Sequence, residues 1–159
     1  MPNINVLFSY PTDIIGRVID LAEGRGPDPC HSGIFILGGL CQALKQGFVK
    51  SPPDVYEGAR HAVMTVVIKD MTAAETKAQE LLGTPYGYID CVNGGIHDIL
   101  GKVIPGDGEI TVNCSEAVIR ILRAGGTDPL EGVPADCVTP ADLFKALNSS
   151  QFFVQLCLK

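Results

Sequence analysis

The sequence has 159 residues, 46% hydrophobic and 19% charged, which suits one globular domain (residues 1–159) and excludes an intrinsically disordered chain. Its 18 acidic residues outnumber 12 basic ones, and the net charge of −6 argues against nucleic acid and anionic membrane surfaces as partners. No apolar run is long enough to span a membrane, and the start has neither a basic region nor a signal-type apolar stretch, so we expect a cytoplasmic location.

The first half of the chain is predicted to be rich in short strands. Four segments, apolar or β-branched for most of their length, predict strands, at residues 5–9, 31–37, 55–58 and 62–69. Thr12 fits the N-cap of a helix that ends at Gly24. Residues 40–53 are interpreted as a long excursion with a short helix at residues 41–46.

The second half is predicted to be more helical. Thr72 and Glu75 match a capping box, which predicts a helix that runs to Leu82. Residues 86–108 are Gly-rich, with a short helix expected at residues 96–100.

Two further helices and a strand are predicted towards the end of the chain. Asn113 and Glu116 match a second capping box, before an amphipathic helix that Gly125 ends. Thr139 and the following proline start another helix, since proline suits the first helical position. Residues 152–159 alternate in polarity, which predicts a terminal strand with one buried face. Together, the predicted helices and strands indicate a mixed α+β fold.

Cys114 differs from the other five cysteines in its position at the start of a capped helix. Free backbone N–H groups and the helix dipole favour an anion there, so we expect a lowered pKa for this thiol. The alternative interpretation is a buried structural thiol at the base of an amphipathic helix. The other cysteines form no Cys-x-x-Cys pair, and we interpret most of them as reduced, buried apolar residues.

A nucleophilic thiol requires a base, and the chain has three histidines: His31, His61 and His97. His31 opens a predicted strand and is followed by two small residues, which leave room for a substrate. His61 and His97 fall in predicted connecting segments, where a surface role is the simpler interpretation. Glu57, in the next predicted strand after that of His31, either orients the His31 ring or faces solvent.

Metal ions and nucleotide cofactors are not expected. The spacing of Cys and His matches no structural zinc pattern, and the adjacent Cys30 and His31 would point to opposite faces of a strand. The glycines in residues 83–87 and 93–95 match neither a phosphate-binding nor a dinucleotide-binding loop.

Four short motifs together resemble the NlpC-type papain-like cysteine peptidases. The segment LGTPY at residues 82–86 resembles the stretch upstream of their catalytic cysteine, and NCSEAV at 113–118 resembles the helix start that carries it. CHSGIFI at 30–36 resembles the strand of the catalytic histidine, and VYEG at 55–58 resembles the strand after it. The histidine strand comes first here, which is the order of the circularly permuted, YiiX-like members. Those members also tend to end on a Thr-Pro-x-Asp-Leu segment like residues 139–143.

The resemblance implies a papain-like α+β fold in which a small antiparallel sheet packs on the cysteine-bearing helix. Cys114 matches the nucleophile, His31 the base and Glu57 the polar residue that holds the histidine. Tyr86 matches a tyrosine that lines the site near the oxyanion, and the N–H of Cys114 would donate to that oxyanion. The long segment between the His31 and Glu57 strands departs from the family pattern.

The activity implied is that of a cysteine amidase or peptidase, which acts through a thioester on cell-wall peptide or another small amide. Two alternatives stay open. The same site would also serve a lipid-directed acyltransferase or thioesterase, which an apolar groove beside Cys114 would favour. The third interpretation is a non-catalytic structural or binding module, in which Cys114 is unreactive or distant from His31.

Overall fold

The computed structural model describes residues 1–10, 28–87 and 111–158, which have an α+β fold. The strands of this part are β1 (Asn3–Ser9), β2 (His31–Ile36), β3 (Gly39–Leu44), β4 (Gly47–Ser51), β5 (His61–Val67) and β6 (Phe153–Leu158). They form one six-stranded sheet in the order β4-β3-β2-β1-β5-β6, and every neighbouring pair is antiparallel.

The α-helices of the described residues are α1 (Met71–Leu81), α2 (Cys114–Ala124) and α3 (Pro140–Ser149), and a short 3-10 helix covers Ala135–Cys137. Alternation along the strands separates the two faces of the sheet. Val6 of β1 pairs with Ile34 of β2 and with Met64 of β5, and these buried side chains pack with α2 in the main hydrophobic core. None of the helices in these ranges is long and apolar enough to cross a bilayer.

The opposite face of the sheet carries a polar row at one end. Ser9 of β1 pairs with His31 on one side and with His61 on the other, so the three side chains lie on the same face. Since neighbouring strands are about 5 Å apart, the backbones of the two histidines are separated by about 10 Å. The topology thus brings together two histidines that are 30 positions apart in the sequence.

Most predicted strands of the first half are confirmed, but two predictions are wrong. Residues 41–46 are not helical: β3 and β4 form a hairpin there, with a turn at residues 45–46 before Gly47, whose φ is +110°. Pairing of β3 with β2 overrides the helical preference of this alanine- and leucine-containing segment. Residues 55–58 form consecutive turns instead of a strand, in which the N–H of Glu57 donates to the carbonyl of Asp54.

The capped helices of the second half are confirmed, but one of them is capped by a different residue from the one predicted. Asp70, not Thr72, caps α1, because the Asp70 carboxylate accepts from the N–H of Ala73. Asn113 and Thr139 cap α2 and α3 as predicted. The terminal strand is confirmed as β6, but the prediction of a buried face is wrong, because Val154 and Leu158 are exposed and β6 lies at the sheet edge. The helices predicted at residues 12–24 and 96–100 lie outside the described residues.

Candidate functional site

Cys114 stands at the first position of α2, and a reciprocal cap holds this helix start. The side chain of Asn113 accepts from the N–H of Glu116 at 2.8 Å, and the Glu116 carboxylate accepts from the N–H of Asn113 at 3.1 Å. The Ser115 hydroxyl donates to the carbonyl of Val138 at 2.5 Å. These bonds fix the orientation of the first turn, and with it the position of the thiol.

A buried ion pair continues this network along α2. The side chain of Glu116 is fully buried, and its Oε1 lies 2.5 Å from Nη2 of Arg120. One carboxylate therefore caps the helix start and also balances the charge of an arginine one turn later. Such a buried pair makes the local structure sensitive to the loss of either partner.

The Cys114 thiol is 6% exposed and lies against β2. Burial raises its pKa above the ordinary value, although hydrogen bonds from the backbone of Ser32 and Ser115 act in the opposite direction. The Ser32 hydroxyl is buried without an oxygen or nitrogen partner among the described residues, and its interaction with the sulfur also favours the thiolate. The prediction of a lowered pKa is therefore wrong for the free protein, because burial outweighs the helix start.

The His31 ring is held by the side chain of Gln42 on the neighbouring strand. Nε2 of His31 lies 2.8 Å from Oε1 of Gln42, and the same oxygen accepts from the Tyr56 hydroxyl at 3.0 Å. Nε2 of Gln42 donates to Oγ of Ser51 at 2.9 Å, which sets the orientation of the amide. Because Oε1 only accepts, Nε2 of His31 carries the proton, and Nδ1 of the neutral ring is an acceptor.

Tyr56 packs between the two histidines. Its ring is stacked on His31 at 6.2 Å between centroids, and it lies 6.4 Å from the ring of His61. Burial lowers the pKa of His31 below its ordinary value, and the hydrogen bond to Gln42 only partly offsets this. The imidazole is therefore neutral in the resting protein, with an Nδ1 that makes no hydrogen bond to a described residue.

Two of the predicted site residues lie at the same end of β2, but on opposite faces of the sheet. The thiol of Cys114 contacts Ser32, the residue that follows His31 in the chain. Successive side chains of a strand point to opposite faces, so Ser32 faces α2 whereas the His31 ring lies on the face of Ser9. No hydrogen bond joins the Cys114 sulfur to the His31 ring.

Glu57 is not brought to the His31 ring. It lies exposed in the turn after β4, whereas the ring bonds to Gln42. Gln42 was missed because residues 41–46 were predicted to be helical. Gly38 and Gly39 between two apolar runs are the signal of a hairpin that would have placed Gln42 beside the strand of His31.

Tyr86 lies close to the start of α2. It forms an isolated bridge with Val112, two residues before Cys114, and its half-buried side chain packs against the core. Of the remaining histidines, His61 lines a cavity next to Tyr56, and His97 lies outside the described residues. Within the described ranges, no group of three or more His, Cys, Asp or Glu side chains is placed to hold a metal ion.

No family model matches this chain, and no curated protein and no solved structure is significantly similar to it.

Proposed function

We propose that this protein is a cysteine hydrolase of the amidase or peptidase type, with a circularly permuted papain-like arrangement of its site. Cys114 is the nucleophile, His31 the base and Gln42 the residue that orients the base. One observation carries the proposal: Gln42 fixes the neutral His31 ring through Nε2 and leaves Nδ1 unoccupied, and Tyr56, which stacks on this ring, lies within electrostatic range of the Cys114 thiol.

The first half of the reaction forms a thioester. The Cys114 sulfur attacks the amide carbonyl carbon, and the thiol proton passes to Nδ1 of His31 through a water at the end of β2, because the ring lies on the other face of the sheet. The C–N bond then breaks, and the imidazolium returns the proton to the leaving amine. The N–H groups of Cys114 and Ser115 have no oxygen acceptor among the described residues, so they are available for the oxyanion.

The second half releases the acid. Water attacks the thioester carbonyl, His31 takes a proton from the water, and the C–S bond breaks with return of that proton to sulfur. Tyr86 retains its proposed place near the oxyanion, and its bridge beside the α2 start supports this. Gln42 replaces Glu57 as the proposed orienting residue.

The opposite pKa changes of the two groups fit a neutral resting pair. The pKa of Cys114 is raised and that of His31 is lowered, in both cases mainly by burial. Proton transfer therefore accompanies attack on the substrate and does not precede it. We expect the thiol to be a slow nucleophile toward small alkylating reagents at neutral pH, but one that depends on His31.

The test is iodoacetamide labelling of each cysteine from about pH 5 to pH 9, followed by mass spectrometry. We expect Cys114 labelling to rise only at alkaline pH, and to slow in the His31→Ala and Gln42→Leu variants. Cys30 and Cys157 are exposed and serve as internal controls whose labelling should not change. If Cys114 labelling is indifferent to His31, the non-catalytic alternative replaces this proposal.

A further inference from the structure

A cavity of about 580 Å³ opens beside the polar row of the sheet. Its floor includes Leu7 of β1 and Tyr56, and the consecutive turns of residues 53–60 form its wall. Tyr56 lines this cavity and also stacks on His31, so the cavity begins one aromatic ring away from the proposed base. A substrate that reaches the His31 ring has this space available for a side group.

His61 points an unused acceptor at the cavity. The side chain is 8% exposed, and its Nδ1 donates to the carbonyl of Ala59 at 2.8 Å. With the proton on Nδ1, Nε2 of the neutral ring is an acceptor. No described residue bonds to Nε2, and this atom is not among the fully buried unpartnered ones. The largely buried His61 side chain therefore offers Nε2 as an acceptor to a donor group of a ligand.

The charges around the cavity favour a cation. Asp54 and Glu57 line its wall and form no salt bridge with a described residue. The one cationic lining residue, Arg60, directs its guanidinium to the ring of Tyr10, at 4.8 Å from the centroid, and Tyr10 is not part of the lining. Two carboxylates with no described salt-bridge partner and one imidazole thus line the cavity.

We propose that this cavity is the subsite for an alkylammonium group of the substrate, carried on a short apolar stem. The ammonium donates to Nε2 of His61 and is attracted by Asp54 and Glu57, while the stem packs on Leu7 and the Tyr56 ring. The inference rests on the proposed function for its link to catalysis, but binding itself does not require Cys114. A subsite for an alkylammonium group also favours amine-bearing peptide or amide substrates over lipid esters.

Binding is tested on the Cys114→Ala variant, so that it is independent of turnover. n-Butylammonium chloride, sodium butyrate and n-butanol are titrated at about pH 8, with NMR detection of the His61 and Tyr56 ring signals. We expect butylammonium to shift the His61 signal and to bind about tenfold more tightly than butyrate, which carries the opposite charge.

Two matched variants test the role of charge. Glu57→Gln removes an exposed carboxylate at the cavity wall and should weaken butylammonium binding about two- to fivefold. Glu75→Gln removes an exposed carboxylate on α1, which packs on the other side of the sheet, and should leave binding unchanged. Equal or tighter binding of butyrate, or no shift of the His61 ring with any probe, would overturn the subsite.

A second arm separates this subsite from the proposed activity. The parent protein is given Nα-acetyl-lysine p-nitroanilide and Nα-acetyl-norleucine p-nitroanilide, which differ in the terminal ammonium. We expect preference for the lysine compound, and a smaller preference in Glu57→Gln. Butylammonium binding without hydrolysis of either compound would contradict the activity and keep the subsite, whereas hydrolysis of both at equal rates would contradict the subsite.

Discussion

Gln42 holds the His31 ring with an uncharged oxygen, 2.8 Å from Nε2. A carboxylate at this place would stabilise the imidazolium, whereas the amide fixes the ring and leaves its charge state to burial. The lowered pKa of His31 is the direct result. At the scale of single residues, the site is therefore organised for orientation of a neutral base.

The Gln42→Glu substitution tests this argument. A carboxylate beside Nε2 should raise the pKa of His31 by about one unit or more, because it favours the charged ring. The measurement is an NMR titration of the His31 ring signals. Gln46→Glu, in the exposed turn between β3 and β4, introduces the same charge away from the ring. An equal effect of the two substitutions would show that Gln42 does not control the ring.

The sequence predicts Cys114 and His31 as site residues, but it does not indicate Gln42. A cysteine behind a capping asparagine and a histidine at a strand end are local patterns that a sequence displays directly. Gln42 acquires its role only when β3 pairs with β2, and its segment also fits a helix. Glu57 is predicted to orient His31 because its segment resembles a strand, but the turns of residues 53–58 keep its side chain exposed.

At the scale of elements, the start of α2 is the part that positions the thiol. Asn113 is buried and takes part in both bonds of the reciprocal cap. The start of α2 is predicted by the two residues of its capping box, which are three apart, and the start of α3 by a proline at its first position. The β3–β4 hairpin depends on pairing with β2 and was not predicted.

Loss of the Asn113 cap should change the reactivity of Cys114 as well as lower the stability of the protein. Asn113→Ala should lower the free energy of unfolding by about 1–2 kcal/mol and change the rate of Cys114 alkylation. Thr139→Ala removes the corresponding cap of α3 and should cost a similar stability without affecting Cys114. Urea denaturation and cysteine labelling measure the two effects. Identical labelling in both variants would count against a positioning role for Asn113.

At the scale of the whole molecule, one sheet separates two environments. The face that packs on α2 is the hydrophobic core, and the other face carries Ser9, His31 and His61 at one end. The α+β class follows from local patterns in the sequence. The strand order does not, because β1 pairs with β2 and with β5, and these contacts join distant parts of the chain.

Burial of a neutral His31 makes the stability of the molecule depend on pH. The folded pKa of His31 is lowered, so between the folded and unfolded values only the unfolded chain binds the proton. The free energy of unfolding should therefore fall as pH drops below about 6.5, the ordinary value for histidine. Urea denaturation at a series of pH values measures this dependence. The His31→Gln variant should show a shallower dependence, and an unchanged slope would contradict the assignment of the effect to His31.

The central claim is that Cys114 and His31 act as one acyl-transfer unit, and acylation by p-nitrophenyl acetate tests it most directly. Intact-mass and peptide analysis identify which cysteine carries the acetyl group in the parent protein and in His31→Ala. We predict a thioester on the buried Cys114 ahead of the exposed Cys30 and Cys157, and an acylation rate reduced about hundredfold or more in the variant. Acetylation that follows exposure, with Cys30 and Cys157 first and no effect of His31→Ala, would contradict the account.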